Sequence, residues 1–127
     1  VELRPERYSG KTDRWDKIVF EAVKQCGRTL VPKIEAPADF NEVIARPGIK
    51  LLFDADEPPT GYRLPTERQP PTALTVLIGP EGGWTGDELR AARDRGVDFE
   101  RLGPRRLRAE TAAIAAVSVV ASRFGDL

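Results

Sequence analysis

Apolar residues near the start of the chain recur with the period of a helix. Across residues 13–26 they follow the three- and four-residue spacing of an amphipathic helix, with Asp13 as its N-cap and Gly27 as a left-handed C-terminal cap. Cys26 lies on the apolar side of this helix. We therefore expect Cys26 to be a core residue and not a reactive thiol.

The pattern changes in the second half of the chain. Residues 73–78 form a continuous run of β-branched and aliphatic residues, which is typical of a strand buried on both faces of a parallel sheet. Thr85 and Glu88 have the spacing of a capping box at the start of a helix that ends near Gly96. The other predicted elements are an extended piece at 30–34, a helix at 38–45, strands at 49–53 and 97–102, and a helix at 109–124.

These elements predict an α/β fold with a mainly parallel sheet flanked by helices, because strands and helices alternate from residue 73 onward. No internal repeat divides residues 1–127, so we expect a single domain. The proline-rich connection at 55–72 has no helical period, and connections of that length are often functional. The last helix is apolar on nearly every side, which places it either at the centre of the core or in a dimer interface.

The composition excludes several classes of protein. Basic and acidic residues number 20 each, so the whole-chain charge attracts neither nucleic acid nor membrane. The chain has no His and one Cys, which excludes His-based nucleophile pairs, the usual zinc-ligand sets and an intrachain disulfide. The longest apolar stretch, at 112–121, is too short to span a membrane. We therefore expect neither a metal site nor a membrane partner.

Two turns that begin with Gly-Pro each follow an apolar strand, one at 79–83 and one within 102–111. Ligands bind at the carboxyl ends of parallel strands, so we expect the two turns to form two sides of one crevice. Glycine lets the backbone approach a ligand closely, but the spacing matches neither a P-loop nor a dinucleotide fingerprint. Glu81 would also repel a phosphate. The turn favours a guest with donors or positive charge, such as S-adenosylmethionine or another adenoside; the alternative is a tight turn without a ligand.

The second turn carries the strongest basic cluster of a neutral chain. Its arginines are Arg101, Arg105, Arg106 and Arg108. Such a cluster is suited to RNA phosphates, and our predicted RNA contacts are Arg101, Arg105 and Arg106. The alternative is a solvated patch paired with local acids.

Three segments match a known family in type, order and spacing. They are DRWDKIVFEAVKQCGR at 13–28, LIGPEGGWT at 77–85 and RLGPRRLRAETAAIAA at 101–116. Together they resemble the ribosomal RNA small subunit methyltransferase E family, which belongs to the SPOUT superfamily of α/β-knot methyltransferases. The resemblance covers nearly the whole chain.

The resemblance implies an enzyme that uses S-adenosylmethionine to methylate N3 of a uridine in 16S small-subunit ribosomal RNA. It also implies a cytoplasmic homodimer with a trefoil knot near the C-terminus that holds the cofactor. Family members usually begin with a small β-barrel RNA-binding domain that is not visible before Arg14, so we expect part of a SPOUT catalytic domain. The family commonly has Thr where this chain has Ala109.

The family pattern also implies which residues form the cofactor pocket. The Gly-Pro turn at 79–83 would shape one wall, the turn after residue 101 the opposite wall and floor, and the end of the strand at 49–53 a third side. The implied cofactor-binding residues are Phe53, Ile78, Gly79, Pro80, Gly83, Leu102, Gly103, Leu107, Arg108 and Thr111.

Uracil N3 must lose a proton before it becomes a good nucleophile, and the chain has no His to accept it. We predict that Arg108 stabilises negative charge on a uracil carbonyl oxygen and that Glu81 accepts or relays the proton. The alternative for Glu81 is a structural role at the start of the following helix. The alternative for Arg108 is an ion pair with Glu110 or with a neighbouring helix.

Two other functions are compatible with the sequence. The chain could be a non-catalytic RNA-binding dimerisation module in which the last helix pairs with its twin. It could also be an adenine-nucleotide-binding α/β enzyme, although Glu81 and the missing P-loop lysine count against that function.

Overall fold

A computed structural model of the chain describes residues 12–57 and 73–124. The chain divides into two compact units, residues 1–39 and 40–127. Most of the predicted connection at 55–72 lies outside the described residues. The single domain and the trefoil knot both stay predictions.

The first unit contains helix α1 (Thr12–Cys26). The helix ends as predicted, because Gly27 has a φ of 71° and donates its N–H to the carbonyl oxygen of Val23 at 3.0 Å. Asp13 lies in the first turn of α1 instead of at its N-cap. The predicted extended piece at 30–34 forms no strand.

The prediction that Cys26 is a core residue is wrong, because its side chain is exposed. Helix α1 buries none of its side chains. The rest of the first unit that the structure describes, residues 27–39, forms no helix or strand that could cover the apolar side of α1. The amphipathic pattern therefore predicted the helix correctly but not its burial.

The second unit is built on a three-stranded parallel sheet. Its elements in chain order are α2 (Phe40–Ala45), β1 (Ile49–Phe53), β2 (Leu74–Ile78), α3 (Gly86–Asp94), β3 (Asp98–Glu100) and α4 (Ala109–Phe124). The strand order is β2-β1-β3, and β1 pairs in parallel with both neighbours. The predicted parallel α/β architecture is therefore confirmed.

Side chains of β1 alternate between two apolar cores on opposite faces of the sheet. On one face Leu52 packs with Ile44 of α2 and Ala92 of α3. On the other face Leu51 and Phe53 pack against Ala116 of α4. All six side chains are at most 6% exposed, so helices cover both faces, as predicted.

Helix α4 is only partly buried. Ala116 has no exposed surface, but Ile114 is 71% exposed and Val117 is 56% exposed. The helix is apolar on nearly every side, but only one of its sides packs on the sheet. Within the described parts of the chain, no helix is both long and apolar enough to cross a membrane.

The start of α3 has the predicted capping box. The backbone N–H of Glu88 donates to Oγ1 of Thr85 at 3.2 Å, and the Glu88 carboxylate accepts from the backbone N–H of Thr85 at 2.8 Å. Gly96, with a φ of 69°, follows the end of this helix. The capping box fixes the point at which the Gly-Pro turn at 79–83 passes into α3.

Gly48 directly precedes β1 and lies against Ala73, which directly precedes β2. A Cβ atom there would lie 2.6 Å from the carbonyl oxygen of Ala73, and the φ of Gly48 is 98°. We expect Gly48→Ala to lower the free energy of unfolding by about 2–4 kcal/mol in equilibrium urea denaturation. Gly82→Ala is the control, because its Cβ would meet nothing within 4 Å, and it should stay within about 0.5 kcal/mol of wild type. Equal stability of the two variants would contradict the prediction.

Candidate functional site

The carboxyl ends of the three parallel strands meet at one edge of the sheet, and a cleft opens there. It has a volume of about 350 Å³, which is within the usual range for small-molecule sites. The chain leaves the strands at Phe53, Ile78 and Glu100. The first Gly-Pro turn follows β2 and the second follows β3, so the two turns lie on either side of the end of β1.

The first wall of the cleft is a tight turn at 79–83. The backbone N–H of Gly83 donates to the carbonyl oxygen of Pro80 at 2.9 Å, and Gly83 has a φ of 75° that favours glycine. A Cβ on Gly79 would lie 3.0 Å from Nε1 of Trp84. Glycine at position 79 therefore leaves room for the Trp84 indole, and glycine at position 83 allows the left-handed conformation of the turn.

Trp84 connects the first wall to the central strand. Its Nε1 donates to the carbonyl oxygen of Phe53 at 3.1 Å, and its ring centroid lies 5.3 Å from that of Phe40. The indole therefore packs beside Gly79 and also satisfies the last backbone acceptor of β1. This arrangement fixes the distance between the ends of β1 and β2.

The second wall is the segment that follows β3. Gly103 has a φ of 134°, a conformation that other residues rarely adopt. The Arg101 guanidinium donates to the carbonyl oxygens of Gly103 and Pro104 at 2.7 and 3.1 Å. The wall ends at α4, where the backbone N–H of Ala112 donates to the carbonyl oxygen of Arg108 at 2.8 Å.

The segment that leaves β1, residues 54–57, contributes Asp54 and Ala55 to the third side of the cleft. The backbone N–H of Asp54 donates to the carbonyl oxygen of Glu100 at 3.0 Å, which extends the pairing with β3. The Asp56 carboxylate accepts two hydrogen bonds from Arg106 at 2.5 and 2.6 Å. This exposed ion pair joins the third side to the second wall.

The structure brings all but one of the predicted site residues to the cleft. Thr111 is the exception, because it is exposed on the first turn of α4 and does not line the cleft. The predicted residues that line the cleft are Phe53, Ile78, Gly79, Pro80, Glu81, Gly83, Arg101, Leu102, Gly103, Arg105, Arg106, Leu107 and Arg108.

The four arginines of the second wall differ in their surroundings. Arg101 is partly buried and bonded to backbone oxygens, and Arg106 is paired with Asp56. Arg105 and Arg108 are exposed and form no ion pair with the residues that the structure describes. Of the four arginines, only Arg105 and Arg108 have guanidinium groups without a hydrogen bond or ion pair to a described residue.

Glu81 is exposed in the Gly-Pro turn at 79–83, and its carboxylate has no hydrogen bond or ion pair to a described residue. The alternative role of Glu81 at the start of α3 is filled by Thr85 and Glu88. Likewise, the described contacts include no ion pair between Arg108 and Glu110. Both candidate catalytic side chains therefore face the cleft without a local partner in the described residues.

Five residues that line the cleft were not among the predicted site residues. Asp54 and Ala55 directly follow β1, so the rule that ligands bind at strand ends could have identified them. Trp84 lies in the segment at 77–85, but its hydrogen bond across the sheet edge has no sequence signal. The other two of these five residues are Ala109 and Ala112 of α4.

The lining of the cleft suits an organic cofactor better than a metal. Backbone of the two turns and apolar side chains such as Phe53, Ile78 and Leu102 make up much of its surface. Across residues 12–57 and 73–124, no group of three or more His, Cys, Asp or Glu side chains is placed to hold a metal ion. Glycine walls and apolar side chains can hold a flat, partly polar ligand of moderate size.

Comparison with known proteins identifies the family. A family model described as an RNA methyltransferase domain matches residues 1–121. The ribosomal RNA small subunit methyltransferase E of Buchnera aphidicola is 33% identical over 122 residues, which are 94% of this chain and 47% of that protein. The corresponding Synechocystis protein is 34% identical and is covered over 40% of its length. The chain thus spans about half the length of the curated relatives it matches, or less.

Solved structures give the same result. A putative methyltransferase from Legionella pneumophila, in complex with the bound cofactor S-adenosylmethionine, superposes with a TM-score of 0.80 at 32% identity, over 96% of this chain and 50% of that one. The Neisseria gonorrhoeae ribosomal RNA small subunit methyltransferase E, bound to S-adenosylmethionine, has a TM-score of 0.78 at 33% identity, over 91% and 49%. These matches confirm the resemblance to that group of enzymes. The chain belongs to the RNA methyltransferase domain family, as its three motif segments indicated.

Proposed function

We propose that the chain is the catalytic part of an S-adenosylmethionine-dependent methyltransferase that acts on N3 of a uridine in 16S small-subunit ribosomal RNA. The observation that carries the proposal is the cleft at the three strand ends, enclosed by the two Gly-Pro turns. Two similar structures were solved with that cofactor bound. The proposed place of action is the cytoplasm, because the proposed substrate belongs to the ribosome.

The residues of the cleft fit the proposed cofactor. Gly79 and Gly83 keep Cβ atoms away from the first wall, which allows backbone groups to meet an adenosine. Apolar side chains at the strand ends offer a surface for a flat base. We leave Thr111 out of the proposed set because it lies outside the cleft. The proposed cofactor-binding residues are Phe53, Ile78, Gly79, Pro80, Gly83, Leu102, Gly103, Leu107 and Arg108.

The cofactor, when bound, supplies an activated methyl group whose leaving group is a neutral thioether. The protein then has to orient the uracil and remove the N3 proton. In our proposal Glu81 accepts that proton, and Arg108 stabilises the negative charge that spreads onto a uracil carbonyl oxygen. Both side chains are exposed at the cleft and lack a local partner among the described residues, so they are free to meet a substrate.

The proposed RNA contacts are Arg105 and Arg106 of the second wall. Arg105 is available to bind a phosphate directly, because it is exposed at the cleft and forms no ion pair with a described residue. Arg106 would exchange Asp56 for a phosphate, and this is a modest cost for an exposed ion pair. The chain has no net charge, so these local groups must supply the attraction.

We also propose a homodimer formed through the outer side of α4. Ile114 and Val117 lie one helical turn apart on that side, and both are more than half exposed. A second copy of α4 would cover them. The same surface serves the alternative function, a non-catalytic RNA-binding dimerisation module.

Calorimetry and a methyl-transfer assay on ribosomal subunits that lack the modification test the proposed function. We expect the chain to bind S-adenosylhomocysteine and to transfer radiolabelled methyl groups to the small-subunit RNA. Binding of RNA without cofactor binding would favour the dimerisation module. Binding of ATP in competition with S-adenosylhomocysteine would favour an adenine-nucleotide enzyme.

Arg108→Ala removes the proposed stabiliser of the uracil oxygen. We expect kcat for methyl transfer to fall by about 100- to 1,000-fold, while the affinity for S-adenosylhomocysteine stays within about threefold of wild type. Arg95→Ala removes an equal charge from an exposed position next to α3, outside the cleft, and should have no effect on kcat. Full activity of Arg108→Ala would remove Arg108 from the chemistry.

Glu81→Gln removes the proposed proton acceptor but keeps its size. We expect kcat/KM to fall by about 100-fold or more and its pH profile to differ from that of the wild type, because the amide of Gln cannot accept a proton. The matched control is Glu110→Gln, an exposed residue of α4 that does not line the cleft. A pH profile that matches wild type would exclude Glu81 from proton transfer.

The double variant Ile114→Glu with Val117→Glu tests the dimer. Two carboxylates would be desolvated without partners in the proposed interface, so sedimentation velocity should show a monomer where the wild type sediments as a dimer. Arg95→Glu introduces the same kind of charge beside α3 and should leave the dimer intact. A dimeric double variant would place the interface elsewhere.

A further inference from the structure

Arg101 has a different environment from the other arginines of the second wall. Its Nε donates to the carbonyl oxygen of Gly103 at 2.7 Å and one terminal nitrogen donates to that of Pro104 at 3.1 Å. The other terminal nitrogen donates to the carbonyl oxygen of Glu57 at 3.3 Å. One guanidinium therefore joins the second Gly-Pro turn to the segment that leaves β1.

These three acceptors are in backbone without regular secondary structure. Residues 101–108 form neither helix nor strand, and Gly103 has a φ of 134°. Backbone oxygens in such a turn need partners from outside the sheet and helices. A planar guanidinium has donors fixed in a fork and can reach two neighbouring carbonyls and a third one, whereas a lysine presents a single compact group.

The far end of this connection is itself anchored. The Glu57 carboxylate is paired with Arg93 of α3, and the Glu57 side chain is only 16% exposed. The Arg93 guanidinium also lies over the ring of Phe99 in β3, 4.4 Å from its centroid. Arg101 thus ties the second turn to a point held by both α3 and β3.

We propose that Arg101 is a positioning residue that holds the second Gly-Pro turn against the segment leaving β1, and so shapes the cofactor wall instead of contacting RNA. Its consequence for cofactor binding rests on the proposed function. Its guanidinium is committed to three carbonyls, and a phosphate contact would release the turn that carries Gly103. Arg105, four residues further along, lines the same cleft without a partner in the described residues and is the matched residue for comparison.

Arg101→Lys separates the two roles, because it keeps the charge that attracts RNA but loses the fork. Hydrogen exchange measured by mass spectrometry should accelerate at least tenfold in residues 54–57, where the N–H groups of Asp54 and Asp56 are hydrogen-bonded, while β1 stays protected as in the folded wild type. The affinity for S-adenosylhomocysteine should fall at least tenfold in calorimetry. The dependence of RNA affinity on salt concentration should be unchanged.

Arg105→Ala should give the opposite result. Its hydrogen exchange and its affinity for S-adenosylhomocysteine should match wild type, and the slope of log affinity for RNA against log salt concentration should fall by about 0.7–1. Arg101→Gln is the second variant, in case Arg101→Lys does not fold, and it should also accelerate exchange in residues 54–57.

Wild-type exchange rates in Arg101→Lys and Arg101→Gln would overturn the proposal. So would a reduced salt slope in Arg101→Gln together with unchanged exchange, because that result would make Arg101 an RNA contact. The exchange measurement needs no cofactor and decides the role of Arg101 by itself. Failure of the wild-type chain to bind S-adenosylhomocysteine would overturn the proposed function alone.

Discussion

Burial of β1 on both of its faces is the constraint on which the second unit depends. Leu52 faces the core under α2 and α3, and Leu51 and Phe53 face the core under α4. A strand buried in this way must pair along both edges, and it does so in parallel with β2 and β3. Parallel pairing brings three carboxyl ends to one edge of the sheet, and the candidate site lies there because of it.

Two side chains hold the irregular backbone at this edge. Trp84 bonds the last carbonyl of β1 and packs beside Gly79, while Arg101 bonds the carbonyls of the second turn. The turns contain the glycines that open the walls of the cleft, and glycine contributes no side chain to fix its own position. Long side chains from neighbouring residues supply the missing interactions.

The charged groups around the cleft fall into two kinds. Arg93 and Arg101 are bonded within the protein and stabilise the segment that leaves β1. Glu81, Arg105 and Arg108 are exposed and unpartnered within the described residues, which makes them the groups available to a substrate. A neutral chain can thus present a locally basic surface beside a carboxylate, an arrangement that suits both attraction of a polyanion and removal of a proton.

The sequence by itself determined the order of the elements, the capping box at Thr85 and the two Gly-Pro turns as the candidate site, because periodicity and local backbone chemistry depend on neighbours along the chain. Only the tertiary structure decided that Cys26 is exposed, that Thr111 lies outside the cleft and that Trp84 bonds across the sheet edge. It also showed that Arg101 is bonded to backbone carbonyls whereas Arg105 is not, although the two arginines belong to the same basic cluster in the sequence. Burial and hydrogen-bond partners come from residues distant in sequence, such as Phe53 for Trp84 and Glu57 for Arg101, and local patterns carry no information about them.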